Sequence, residues 1–225
     1  MTRFRYVSVE QEAPDRLGHW FDLRQHLYVA EPVLGGTELD AHGDFIDEYD
    51  PCAEHLLMYD EAAPGQAIGT CRIIDGRRMP LRVGRQFGVE HGPDALEVSG
   101  FSVVADYRRT FATLGCYWLG YQRALRADYT EVHFEAELPF RDLLQAIGVP
   151  VVQLGPPRFV DDSVNVPLRM FVDETVDSLR VADLRRGAGP AFAALFESGW
   201  NGIFDTADLF AVPQSQVSEP LESLA

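Results

Sequence analysis

A mixed β-sheet covered by helices is the fold class that this sequence predicts. Segments of alternating hydrophobicity occur among segments of helical spacing. Two pairs of strand candidates are joined by short turn-rich segments, and neighbours so joined pair antiparallel, whereas a purely parallel sheet needs a crossover between every two strands. The chain is 225 residues long and 46% hydrophobic, enough to bury one sizeable core.

The elements follow in order. Residues 14–31, "PDRLGHWFDLRQHLYVAE", place Leu17, Phe21, Leu23, Leu27 and Tyr28 near helical spacing, and Pro32 with "LGG" stops the helix. An acidic loop, "TELDAHGDFIDEYDP", leads to the strand candidates "AEHLLMYD" and "AIGTCRIID", separated by the hairpin-like turn "EAAPGQ". The stretch "GRRMPLRVGRQFGVEHGPD" reads as irregular. It runs into the strand "DALEVSGFSVV". Next come a buried helix in "FATLGCYWLGYQRALRAD", a strand in "TEVHFEAE", and a helix in "PFRDLLQAIG" with proline at its start and Gly148 at its end. The strand pair "VPVVQLG" and "NVPLRMFVD" follows across a turn. From about residue 175 the chain becomes arginine-punctuated helix and then a polar tail, so residues 1–174 form the expected main domain and 175–225 a C-terminal helical appendage and tail.

Nineteen basic residues, all arginine, face 35 acidic ones, and a net charge of −16 argues against general binding to nucleic acid or anionic lipid. Arg72, Arg77, Arg78, Arg82 and Arg85 nevertheless cluster, with Arg108 and Arg109 further on: a local patch for an anionic partner, or a solvated charged turn. Cys52, Cys71 and Cys116 are odd in number and lack metal or redox spacing, so they read as reduced and buried. With no apolar leader and no membrane-spanning run, the expected location is cytoplasmic.

No P-loop, G-x-G-x-x-G, H-E-x-x-H or G-x-S-x-G occurs, and the six histidines show no ligand spacing, so neither metal nor cofactor is expected. His55 and His133 read as structural histidines on strands. Alternation places Glu97 on one face with Ser99, Phe101 and Val103, and puts Gly100, with Leu96, Val98 and Ser102, on the other. Arg72 likewise shares a face with Ile68, Thr70 and Ile74. Charges on apolar faces need partners. Arg24, Asp47, Asp50, Arg72 and Glu97 are therefore either a structural ion-pair network or parts of a site.

The ordered set "DLRQHLYVAE", "DEYDPCAEHLLMYD", "GTCRII", "LEVSGFSVV" and "LLQAIGVPVVQLGPP" resembles the acyl-homoserine-lactone synthases and their relatives, the N-acyl amino acid synthases and exosortase-associated acyltransferases, over residues 15–173. Arg24, Asp47, Asp50, Arg72, Glu97, Ser99 and Phe101 match the relatives' pattern. Three positions depart from it: Leu34 stands near the usual tryptophan, Phe45 near an acidic residue, and Gly100 where the relatives have arginine.

The resemblance implies a GNAT-like fold and an N-acyltransferase. Amine acylation needs a base near the thioester carbonyl, and Glu97 suits that task. Backbone N–H groups of Val103 and Val104 would meet the oxyanion. Arg24, Asp47, Asp50, Arg72, Ser99 and Phe101 would bind substrate, and Phe101, Leu114 and Trp118 are candidates for an acyl tunnel. The donor implied is acyl-phosphopantetheine on acyl carrier protein, since "RRTFATLGC" lacks the usual pyrophosphate-cradling spacing. Arg77, Arg78, Arg82, Arg108 and Arg109 would meet its phosphate or dock the acidic carrier. The acceptor implied is S-adenosylmethionine, yielding an acyl homoserine lactone. A different amine such as a free amino acid, or a non-catalytic acyl-binding role, remains open. At Gly100 the missing side chain is expected to leave room, opposite Glu97, for a bulkier acceptor or acyl group.

Overall fold

The computed structural model describes residues 3–9, 20, 23, 47–63, 65–108, 110–160, 163–187, 189 and 191–205. Within them lie strands β1 (Phe4–Val9), β2 (Glu54–Asp60), β3 (Ala67–Asp75), β4 (Ala95–Val103), β5 (Glu131–Glu137), β6 (Val151–Gln153), β7 (Arg158–Val160), β8 (Ser163–Phe171) and β9 (Phe204–Asp205). The helices are α1 (Arg82–Phe87), α2 (Ala112–Arg126), α3 (Leu138–Ile147), α4 (Val172–Arg185) and α5 (Ala191–Gly202). The strands form one sheet in the order β6-β8-β5-β4-β3-β2-β1-β9, with β7 also on β8. The β4–β5 and β1–β9 pairs are parallel and the others antiparallel, which makes the sheet mixed, as expected.

Helix α1 lies within the stretch expected to be irregular. Its six residues give too little periodicity to read, yet Val83 and Phe87, four apart, bury against Ile74, Leu81 and Ala95, and Gly88 at φ 68° closes it.

The main core lies between one face of the sheet and helices α2 to α5. Helix α2 approaches closely because two of its residues lack a Cβ: one built on Gly115 would lie 1.8 Å from Tyr6 Oη, and one on Gly120 would lie 2.3 Å from Val98 Cγ2. Helix α4 starts before the boundary expected after residue 174, and Leu179, Leu195, Phe196 and Phe204 share this same core. Asp183 holds the start of α5 there, its Oδ2 accepting the N–H groups of Phe192 and Ala193 at 3.0 Å. The expected first helix, apart from Trp20 and Leu23, and the polar tail lie outside the described residues.

Strand β4 does not keep its alternation. Thr70 pairs with Ser102 and Arg72 with Ser99, so Gly100 and Phe101 both stand opposite Cys71, and Gly100 takes φ 57°. This bulge inserts one residue and exchanges the faces beyond it. Phe101 and Val103 therefore join Leu96 and Val98 in the helix-side core, while Glu97 and Ser99 face the other way with Arg72. The expectation that Glu97, Phe101 and Val103 share a face fails for that reason. A shift in the β2–β3 register around Ile68 moves that residue into the helix-side core, away from Arg72.

Gly100 is likewise not opposite Glu97. A Cβ there would lie 3.6 Å from Arg72 Cγ, an ordinary contact, so backbone conformation rather than space demands glycine. Gly100→Ala is expected to cost about 1–2 kcal/mol in urea denaturation, the cost of forcing a side chain into the left-handed region. Unchanged stability would show that the bulge tolerates a Cβ.

Candidate active site

Strands β4 and β5 pair over only three residues, Ala95 with Glu131, Leu96 with Val132 and Glu97 with His133. Beyond this point β4 continues along β3 to Val103, and β5 continues along β8 to Glu137. The two strands splay. The bulge at Gly100 turns β4 away, and Glu97 and His133 form the last rung before the opening.

Helix-side aromatics fill the inner wall of this splay. Tyr117 of α2 lies edge-on to Phe101 of β4 and Phe134 of β5, with centroids 5.7 and 4.8 Å away, and stacks on Phe140 of α3 at 4.9 Å. Of the expected tunnel residues, Phe101 borders the splay. Trp118 does not: it stacks on Phe204 at 5.0 Å, toward β1 and β9.

Glu97 is 0% exposed. Its Oε2 accepts the Val83 N–H at 2.9 Å, and its Oε1 has no hydrogen-bond partner among the described residues. Burial pushes its carboxyl up to about 7 against the opposing effects of the Val83 N–H and Arg82, with Glu135 adding to the rise. A carboxyl held there exchanges a proton readily near neutrality.

The expected oxyanion donors separate. Val104 donates its N–H to Ile68 O at 2.9 Å and is thus committed to β3. Strand backbone groups alternate sides, so the Val103 N–H points the other way, into the splay. The Val103 carbonyl on that same side accepts from Arg108 Nε at 2.9 Å, which brings one expected phosphate ligand to the mouth of the opening.

On the face of Glu97, Arg72 gathers three of the expected residues. Its Nε donates to Ser99 Oγ at 2.9 Å, its Nη1 to Asp47 Oδ1 and Asp50 Oδ1 at 2.6 Å, and its Nη2 to Asp47 Oδ2 at 2.6 Å. Burial opposes the Arg72 charge, and Asp47 and Asp50 more than restore it, so its pKa lies above the ordinary arginine value. With its donors so engaged, Arg72 acts on this site as a clamp for residues 47–50. His55 reinforces the clamp through Nε2 to Asp50 O at 2.9 Å.

The arginine cluster comes apart. Arg82 is buried and pairs with Glu135, which removes it from any docking surface. Arg77 donates to Asp94 and to the carbonyls of Ala127 and Asp128, and lies over the Tyr129 ring. Arg85 pairs with Glu48. Arg78 and Arg108 are exposed, whereas Arg24 and Arg109 lie outside the described residues. The sequence reading missed the Arg82–Glu135 pair and the aromatic wall. Period-two alternation in "TEVHFEAE" does place Glu135 on the face of His133, but nothing local marks its partner.

Among the described residues, no group of three or more His, Cys, Asp or Glu is placed to hold a metal ion, and no helix is long and apolar enough to cross a membrane. The splayed parallel pair within an otherwise largely antiparallel sheet is the arrangement of a GNAT-like fold, and residues 23–118 match the family model described as an acetyltransferase (GNAT) domain. The fold is shared with the CoA-dependent acyl-homoserine lactone synthase BjaI, solved with SAM and isopentyl-CoA, at a TM-score of 0.63 and 20% identity over 87% of this chain and 100% of that one. It is shared also with the AHL synthase LasI, at 0.63 and 18% over 81% and 94%. FeeM, an N-acyl amino acid synthase from uncultured soil microbes, gives 0.55 and 16% over 82% and 99%. No curated protein matches the chain in sequence.

Proposed function

We propose that this protein is an N-acyltransferase that moves a fatty acyl group from a phosphopantetheine thioester to an amine. The observation that carries the reading is the position of Glu97: a buried carboxyl with one unengaged oxygen, on the last rung of the β4–β5 splay. The thioester carbonyl would sit in the splay with its oxygen toward the Val103 N–H. Glu97, directly or through one water, would take one proton of the acceptor ammonium, and the amine nitrogen would attack the carbonyl carbon. As the C–S bond broke, the leaving thiolate would take up the second proton that the nitrogen sheds, giving the amide and the free thiol.

The donor is proposed to be acyl carrier protein. The start of α2 uses its own N–H groups, Ala112 donating to Thr110 Oγ1 at 3.1 Å and Leu114 to Phe111 O at 3.0 Å, which favours a donor needing one phosphate contact over a pyrophosphate. Arg108 is the proposed phosphate ligand, and Arg78 stays a candidate for carrier docking. The acceptor is proposed to be S-adenosylmethionine, giving an acyl homoserine lactone, on the strength of the partly exposed Asp47 beside the site and the likeness to BjaI. Incubation with acyl carrier protein or coenzyme A thioesters, against S-adenosylmethionine and free amino acids, followed by mass spectrometry, tests this directly. A lactone product supports the full reading, and an N-acyl amino acid moves the acceptor to the alternative. Acyl-donor binding with no product from any acceptor would overturn the enzymatic reading.

A further inference from the structure

His133 is buried at 0% exposure and is the Cα partner of Glu97 in the parallel ladder, so the two side chains stand side by side on one face, about 4.8 Å apart at the backbone. Its Nε2 lies 2.9 Å from Glu131 Oε2. A carboxylate there requires the proton to sit on Nε2, which leaves Nδ1 as the bare acceptor. That Nδ1 is buried and without a partner among the described residues, as is Glu97 Oε1. One rung thus holds a carboxyl oxygen and a ring nitrogen, both unsatisfied, where a purely structural pair would satisfy each other or pair elsewhere.

A way out continues from the same ring. Glu131 is partly exposed and also pairs with Arg169 at 3.2 Å. The His91 ring lies 6.2 Å from that of His133 and lines a pocket of about 370 Å³ with Pro80, Leu81, Arg85 and Glu90. Among the described residues, the charged or titratable groups facing His133 are Glu97 from β4, Glu131 on its own strand, Arg169 from β8 and His91 from the loop after α1, with Glu135 two residues along β5 on the same face and paired with Arg82 from α1. Burial holds the His133 pKa below the ordinary histidine value, which favours the neutral ring at rest and makes any imidazolium formed there quick to give its proton up.

We infer that His133, oriented by Glu131, relays to solvent the proton that Glu97 collects, and so is a positioning residue that resets the base. The inference rests on the proposed role of Glu97. In the step, the O–H bond of protonated Glu97 breaks as an N–H bond forms at His133 Nδ1, directly or across one water. The imidazolium, held by Glu131, then releases its Nε2 proton to water by way of that carboxylate, and the resting tautomer returns when Nε2 takes a proton back from water as Nδ1 gives one up. Glu97 returns to its charged form, and no electron changes hands.

His133→Gln and Glu131→Gln should each lower kcat roughly tenfold to a hundredfold, with the KM for the acyl donor and the thermal midpoint unchanged. Added imidazole should restore turnover of His133→Gln in proportion to its concentration, as it would not if the ring were structural. Full activity, or a loss that imidazole leaves untouched, overturns the relay. A second measurement needs no turnover: nitrogen NMR of labelled histidines in the wild-type protein and in Glu97→Gln. The His133 titration should move when Glu97 can no longer ionise, and an unmoved titration overturns the relay. Should the wild-type protein move no acyl group while this titration shifts, the reading of Glu97 as a base fails and the coupling of the pair stands.

Discussion

Glu97→Gln is expected to lower acyl transfer by roughly two to four orders of magnitude while leaving donor binding intact. Glutamine preserves the shape and can still accept the Val83 N–H, but takes no proton near neutrality. In the wild-type protein, log(kcat/KM) should rise with pH and level off above about 7, because the working form of Glu97 is the charged one. The stability effect runs the opposite way. The carboxyl has an ordinary value of 4.5 and is raised to about 7 in the fold, so between these values the folded chain holds a proton that the unfolded chain has lost. Its contribution favours folding at the acid side of that window and declines as pH rises through it, reaching a cost of about 3 kcal/mol above it. Glutamine carries no such cost. The variant should therefore be more stable than wild type at pH 8 and nearly inactive, a combination that paired denaturation and turnover measurements read directly. Near-normal turnover would sink the assignment.

Arg72→Leu is expected to be the most destabilising single change at the site, by about 3–5 kcal/mol in urea denaturation. It strips the guanidinium from Asp47, Asp50 and Ser99 together, and Asp50 is itself buried. The aspartates are left charged in a region where Arg72 compensated them. Adding Asp47→Asn and Asp50→Asn to the same chain should return much of the loss, since a neutral replacement for a whole buried ion group is far less costly than half of one. A loss under 1 kcal/mol in the single variant would show that water reaches these carboxylates and that the clamp is dispensable.

The elements best legible in the sequence were those whose pattern is local. The β2 and β3 strands, the α2 helix and the α3 helix between its proline and Gly148 all stand where periodicity put them. The candidate site residues were legible as a set of charges on apolar faces, and Arg72 does meet Asp47, Asp50 and Ser99. What could not be read was anything set by register. A bulge at Gly100 exchanges two faces, and glycine alone does not announce whether it marks a bulge, a close approach or vacant space. Arg82 looked like surface charge because its partner, Glu135, lies 53 residues away on another strand. His133 looked like an ordinary structural histidine for the same reason: its neighbour Glu97 comes from a separate strand, and only the parallel ladder sets them on one rung.

Strand β9 is two residues long, yet it sits against β1, pairing Phe204 with Phe4, and the Phe4 N–H reaches Ile203 O at 2.6 Å. An uncovered sheet margin offers a row of free backbone groups to any passing chain. Residues 203–205 occupy part of that margin, with the Phe204 ring stacked on Phe4 at 5.9 Å as an anchor. Residues 203–205 thus act as a selvedge for β1. Because β9 is made about 200 residues after β1, this margin has no strand partner among the described residues until residues 203–205 have been synthesised, a long interval in which it can pair with another chain.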